Sequence, residues 1–192
     1  MQLKHLLVLD FEATCCDDNT FTRTDMEIIE FPICVVDLKT KRVIDEYHSY
    51  VKPKVHPTLT NFCTTLTGIQ QTTVDNAKDI STVLSEVKDF IKKYPDSVFV
   101  TCGDWDLKTM LPTQTQKENL QVSSRFSNWL NIKKEFAKCY GKKAHGMVDM
   151  LNELKLPLVG HHHSGIDDTR NIARMATQKH KFEYDGKKLS RD

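Results

Sequence analysis

The chain has 192 residues, 39% of them hydrophobic and 28% charged, which fits one ordinary globular domain with a single substantial core and excludes a disordered or membrane-embedded chain. No apolar run approaches the roughly 20 residues of a membrane span. The net charge of +1 excludes a protein that coats phosphates over its whole surface, so any nucleic-acid contact has to come from a local patch.

Residues 3–10 (LKHLLVLD) form an apolar run that predicts a central strand. The run closes on a charge and lacks a small-residue cleavage site, so it does not read as a secretory signal. Cys15, Cys16, Cys34, Cys63, Cys102 and Cys139 are scattered, with no C-x-x-C pair, and are expected to be reduced thiols of a cytoplasmic or nuclear protein. Residues 30–37 (EFPICVVD) and 43–51 (VIDEYHSYV) predict two strands joined by a short charged turn, hence an antiparallel hairpin.

In residues 79–94, Ile80, Val83, Leu84, Val87, Phe90 and Ile91 fall on one 3.6-residue stripe, the pattern of an amphipathic helix lying on a sheet and stopped by Pro95. Residues 97–102 (SVFVTC) predict a fourth strand, ending just before Gly103 and Asp104, where a helix starts. Three further helices are predicted over residues 131–140, ended by Gly141, over 146–154, and over 164–180. No repeat, low-complexity tract or linker divides the chain. A hairpin followed by strand–helix crossovers points to a mixed α/β fold of three layers, one domain over residues 1–192 with its core at about 3–182.

Three stretches carry chemistry. In LVLDFEAT, Asp10 and Glu12 stand one position apart at the end of an apolar strand, and period-two alternation puts both carboxylates on one face. In CGDWDLKTML, either Asp104 or Asp106 caps the new helix while the other turns inward. Asp106 is the better inward candidate, because Met110 is its i+4 neighbour and Leu107 and Leu111 flank it.

In HHHSGIDDTRNIA, Ser164 followed by Asp167 resembles a capping box ahead of the apolar positions Ile166, Ile172, Ala173 and Ala176. With Ser164 as N-cap, His163 and Asp168 take the two positions that touch in a hydrophobic staple, so an imidazole is expected beside a carboxylate. His161 and His162 are assigned to the preceding loop. Asp10, Glu12, Asp106 and Asp168 could not share one small site without cations. An all-oxygen donor set favours Mg²⁺ or Mn²⁺. Two such ions about 3.5–4 Å apart suit in-line displacement at a phosphodiester, with water as nucleophile and His163 as its general base.

This pattern resembles the DEDDh, or DnaQ-like, 3′→5′ exonuclease family, in which D-x-E, a second aspartate and H-x-x-x-x-D form the catalytic set. LVLDFEATC, EIIEFP, FCTTLTGI, CGDWDLKTMLP, NWLNIKKEF and HHSGIDDTRNIAR are similar to its ERI-type exoribonuclease branch across nearly the whole chain. The resemblance implies a ribonuclease H-like mixed sheet flanked by helices, and two Mg²⁺ or Mn²⁺ ions held by Asp10, Glu12, Asp106 and Asp168, with His163 completing the catalytic set. It also implies hydrolysis from the 3′ end of a nucleic acid, RNA in preference, with release of 5′-mononucleotides; no membrane is involved and protein partners are unspecified.

By the same resemblance, Phe11, Ala13 and Thr14 border the terminal nucleotide, and Phe62, Leu66 and Trp105 wall its base. Core packing of a short helix is the competing reading for Phe62 and Leu66. Glu30 is expected behind the site or as a strand-end surface charge, and Lys133, Lys134, Lys142, Lys143 and Arg170 are candidates for phosphate contacts. Two alternative functions share the pattern: a DNA-directed 3′→5′ exonuclease, and an inactive RNA- or protein-binding module on the same fold.

Overall fold

The computed structural model describes residues 2–178. The extended apolar runs pair into one mixed sheet. Strands β1 (His5–Val8), β2 (Glu12–Ala13), β3 (Ile28–Asp37), β4 (Arg42–Tyr50), β5 (Ser97–Thr101) and β6 (Trp129–Asn131) are all members. β3 pairs antiparallel with β1 and β2 and with β4, whereas β1–β5 and β5–β6 are parallel. The hairpin expected from the charged turn is therefore β3–β4, and β3 begins at Ile28, two residues ahead of the predicted strand.

The strand predicted over residues 3–10 is shorter, and a second strand follows it. β1 stops at Val8, and β2 resumes at Glu12 in the same antiparallel alignment, since His5 faces Asp37 and Glu12 faces Glu30. Between them, Leu9 donates its amide to Val100 of β5 at 3.0 Å. Asp10 and Phe11 thus sit where the chain crosses the carboxyl end of β5, the place where α/β sheets gather ligands.

Side-chain alternation sorts the two faces. Leu7, Leu9, Phe11, Phe31, Ile33 and Val35 pack under α3 (Ile80–Lys92) and under a π-helical turn, Asp106–Met110, that leads into α4 (Leu111–Lys117). Leu6, Val8, Cys34 and Val36 face α5 (Ile132–Tyr140), α6 (Met147–Glu153) and α7 (Gly165–Ala176). Helices on both faces complete the expected three layers, and the helix predicted over 164–180 ends at Ala176, residues 179 and 180 lying outside those described.

Asp79 caps α3 by accepting the Thr82 amide, and the helix ends at Lys92, ahead of Pro95, with Arg125 hydrogen-bonded to the carbonyls of Ile91 and Tyr94. Asn131 caps α5, and Gly141 ends it in the left-handed conformation, φ 68°. Two short helices, α1 (Asn61–Thr67) and α2 (Gln71–Asp75), and strand β6 were not delimited by periodicity, because a three- to seven-residue element is too short to show a period. None of the six cysteines is in a disulfide, and among the described residues no helix is long and apolar enough to cross a membrane.

Phe31, fully buried, packs its ring against that of Phe11, tilted by 58° with centroids 4.5 Å apart, and so backs the break between β1 and β2. Replacing Phe31 with Ala should cost about 3–5 kcal/mol, read as a lowered denaturant midpoint with an unchanged slope.

Candidate active site

Asp10 and Glu12 continue the face of Leu6 and Val8. Both therefore turn toward α7, as period two requires. One oxygen each from Asp10, Glu12 and Asp168 lie within 4.8 Å of one another.

Asp106 reaches the same place from the other face. Its side chain is 4% exposed, and Oδ1 accepts the Phe11 amide at 2.8 Å. This bond continues the β1–β5 ladder past the end of β5, the carboxylate taking the place of the next carbonyl. Leu107, Met110 and Leu111 are buried around it, as the i+4 argument required. Asp104 does not cap the helix with its side chain; its carboxylate instead receives Trp129 Nε1 at 3.1 Å, Asn131 Nδ2 at 3.0 Å and the Lys134 ammonium at 3.0 Å, joining the end of β5 to β6.

α7 starts with Ser164 as its N-cap, where the sequence placed it, but the expected capping box is not made: the Ser164 side chain accepts no capping hydrogen bond. The first helical amides go to Glu30, a side chain 135 residues away and 1% exposed. Its Oε2 accepts Gly165 N–H at 2.8 Å and its Oε1 accepts Ile166 N–H at 3.0 Å, while His48 Nε2 lies 2.8 Å from Oε1. A carboxylate at this position also meets the positive end of the helix dipole. Glu30 is thus neither a surface charge nor remote from the site; it fixes where α7 begins. Asp167 reaches back to the amide of His161 at 2.9 Å. A Cβ on Gly165 would lie 2.9 Å from Glu30 Oε2 and 3.0 Å from the Asp10 carbonyl, so only glycine lets the helix approach this closely.

His163 is left-handed, φ 68°, a conformation that costs a non-glycine residue about 1–2 kcal/mol and gathers at functional sites. The turn is held because the His163 amide donates to Asp168 Oδ2 at 2.8 Å. The imidazole against the Asp168 carboxylate is that of His162, with Nδ1 at 3.1 and 3.2 Å from its two oxygens, and the His163 ring lies on the His162 ring at 3.9 Å between centroids. The hydrogen-bonded imidazole expected of His163 at Asp168 is thus supplied by His162, His163 meeting the carboxylate through its backbone amide, and His162 belongs to the site and not to an idle loop. Its place could not be read from spacing, because it depends on the left-handed turn at His163.

A cleft of about 380 Å³ is lined by Asp10, Phe11, Glu12, His162, His163 and Asp168 together with Cys102 and residues 145–149. Burial and mutual repulsion push the acids above their ordinary range. Asp10 is raised well above it by desolvation, then by Asp106, Glu12 and Asp168. Glu12 is raised to about 9 by desolvation, then by Glu30 and Asp168. Desolvation raises Asp106 to about 6 against the opposing Phe11 amide, and raises Asp168 against the His163 amide and His162. Such a set ionises together only with cations, and its oxygen donors are those that Mg²⁺ and Mn²⁺ take. His163 is lowered, by burial first and then by His162, which keeps its imidazole neutral and able to accept a proton.

The remaining predicted residues divide. Phe11 is buried and lines the cleft. Ala13, in β2, and Thr14, just after it, are buried, the Thr14 hydroxyl accepting the Glu27 amide, and neither lines the cleft. Core packing does not account for Phe62, which is 37% exposed, nor for Leu66, which is partly exposed; Cys63 and Thr67 are the buried face of α1. Trp105 is likewise 37% exposed. Of the basic candidates, Lys134, Lys142 and Arg170 are paired with Asp104, Glu153 and Glu46, Lys133 bonds the His145 carbonyl, and Lys143 is exposed.

The family model described as Exonuclease (RNase_T) matches residues 7–176. ERI1 exoribonuclease 3 of Bos taurus is 45% identical over 180 residues, covering 89% of this chain and 52% of that protein, and ERI1 exoribonuclease 2 of Xenopus laevis is 30% identical, covering 91% and 28%. The chain therefore spans about half or less of the length of these relatives. A crystal structure of the nuclease domain of 3′hExo, a DEDDh family member, bound to rAMP superposes with a TM-score of 0.85 at 33% identity, over 91% of this chain and 90% of that one. A structure of a 3′-exonuclease recognising the histone mRNA stem-loop superposes equally well, with a TM-score of 0.85 at 33% identity over 91% of this chain and 63% of that one.

A carboxyl whose folded pKa is raised favours the protonated state, so the stability it contributes is present at low pH and lost as pH rises through the folded value. In chelator, the melting temperature should fall between about pH 5 and about pH 9, through the Asp106 and Glu12 windows near 6 and 9. Millimolar Mg²⁺ or Mn²⁺ should remove that fall, and a melting curve independent of both pH and metal would contradict the clustering. Glu30→Gln leaves one helix amide without its charged acceptor and should cost about 1–3 kcal/mol, with weakened Mn²⁺ binding measured by calorimetry.

Proposed function

This chain belongs to the Exonuclease (RNase_T) family, and from that premise we propose that it is a metal-dependent 3′→5′ exoribonuclease, releasing 5′-mononucleotides from the 3′ end of RNA. The observation that carries the reading is the convergence of Asp10, Glu12 and Asp168 within 4.8 Å, beside Asp106 and a neutral His163, in an open cleft. The preference for RNA is supported by the relatives' names and by the rAMP and histone mRNA stem-loop bound in the superposing structures.

Two divalent cations held by Asp10, Glu12, Asp106 and Asp168 would neutralise the acids and stabilise the attacking and leaving oxygens of an in-line displacement. The chain's own groups do the rest. Asp106 is held in one rotation by the Phe11 amide, and Asp168 by the His163 amide, so the donors need little reorganisation when cations arrive. His163, neutral because it is partly buried, takes the proton from the attacking water. The exposed rings of Phe62 and Trp105 and the side chain of Leu66 offer apolar surface for the terminal base, and Phe11 lines the cleft itself.

End-labelled single-stranded RNA, duplex RNA and single-stranded DNA incubated with the protein should separate these roles. RNA should shorten stepwise from its 3′ end with Mg²⁺ or Mn²⁺ and stay intact in chelator. Asp106→Asn should lose at least about 10²-fold in kcat, and His163→Ala about 10²–10⁴-fold with RNA affinity nearly kept. Degradation that persists in chelator, or binding with no turnover under any metal, would refute the proposal; DNA cut faster than RNA would move the substrate class.

A further inference from the structure

Two imidazoles occupy the cleft, and His163 alone has a part in the reaction proposed above. His162 lies in the loop before α7, where a side chain could point freely into solvent, and 39% of it remains exposed. Yet its Nδ1 lies 3.1 and 3.2 Å from the two Asp168 oxygens, and its ring is nearly parallel to that of His163, 23° between planes at 3.9 Å. When a cation keeps Asp168 ionised the carboxylate only accepts, and His162 then donates through an Nδ1–H. Metal-ligating carboxylates depend on such donors for their orientation.

The two rings and Asp168 bring one donor atom each within 4.8 Å. A shared transition metal is nonetheless a poor fit, because ring nitrogens bind in their own planes and stacked planes do not converge on one ion. The arrangement instead joins two catalytic groups through one side chain: the face of His162 supports the base, and its edge holds the carboxylate.

We propose that His162 is a positioning residue that sets the rotation of the Asp168 carboxylate for cation binding and backs the His163 ring in its place beside the scissile bond. This rests on the exoribonuclease reading for its catalytic half, whereas the orientation of Asp168 can be measured without turnover. The two functions of His162 separate by substitution. Asn places an amide N–H where Nδ1 stands but offers no ring to stack, and Phe keeps the stacking face but has no donor.

The experiment measures Mn²⁺ affinity by calorimetry in the absence of RNA, and kcat, KM and the half-activating Mn²⁺ concentration on single-stranded RNA, for the native protein, His162→Phe and His162→Asn. In His162→Phe, Mn²⁺ affinity should weaken about 10-fold, with a matching rise in the half-activating concentration and KM for RNA within about twofold. His162→Asn should recover the Mn²⁺ affinity but keep a several-fold deficit in kcat from the missing stack. Phe binding Mn²⁺ as tightly as the native protein would overturn the proposal, as would Asn and Phe being equally impaired, or a fall in melting temperature in chelator that tracks the loss in Phe. Activity surviving in His163→Ala but absent in both His162 variants would make His162 the base and overturn it too. If Mn²⁺ affinity follows this pattern while no nucleic acid is degraded, the exoribonuclease reading fails and the orientation of Asp168 by His162 stands.

Discussion

The two hydrogen bonds from the first amides of α7 to the buried carboxylate of Glu30 are the contact on which the site's geometry depends. They pin the start of a helix to a side chain near the start of β3, and everything chemical on α7 is measured from that point. Asp168 is three residues beyond Gly165, and His163 is two before it, so a shift of the helix by one turn would withdraw both. The close approach is possible because residue 165 is glycine, with the Asp10 carbonyl and Glu30 both about 3 Å from where a Cβ would stand. A helix end that would ordinarily be satisfied by its own cap is satisfied here by the sheet, which ties the position of a catalytic segment to the most rigid part of the fold.

That rigidity has an electrostatic cost. After burial, the Glu30 carboxylate is the largest influence raising Glu12. With Asp10, Glu12, Asp106 and Asp168 it crowds carboxyl groups at one end of the sheet, although the chain as a whole carries a net charge of only +1. The surrounding order keeps the acids from relaxing apart: Asp106 is held by the Phe11 amide, Asp168 by the His163 amide and His162, and both by neighbours that exclude water. The conflict is the property that makes the cluster a cation site, because binding a divalent ion removes repulsion that folding has already imposed.

The break between β1 and β2 shows how the two faces of the sheet come to serve one site. Had the first strand run on unbroken beside a longer β5, the Phe11 amide would have met a carbonyl. Because β5 ends at Thr101, that amide is left for Asp106, and a carboxylate from the π-helical turn enters the ladder at the level of Asp10 and Glu12. Asp104, two residues earlier, is diverted to Trp129, Asn131 and Lys134, where it ties β5 to β6. π-helical turns recur where side chains must be re-aimed at functional sites, and this one carries Asp106 inward.

Local pattern determined a good deal of this protein. The alternation at residues 3–10 set Asp10 and Glu12 on one face, the stripe of α3 fixed its buried side, and Ser164 marked the first cap of α7, because each of these depends on neighbours no more than a few residues away. Even the choice of Asp106 over Asp104 followed from its i+4 partner. What the tertiary structure alone decided are contacts made across long stretches of chain, Glu30 capping α7 in place of a capping box and Asp106 completing a strand ladder 95 residues away, and one made across a turn, His162 rather than His163 turning its Nδ1 to Asp168. Those outcomes depend on where independent elements dock and on one left-handed residue, and neither leaves a periodic trace in the order of the amino acids.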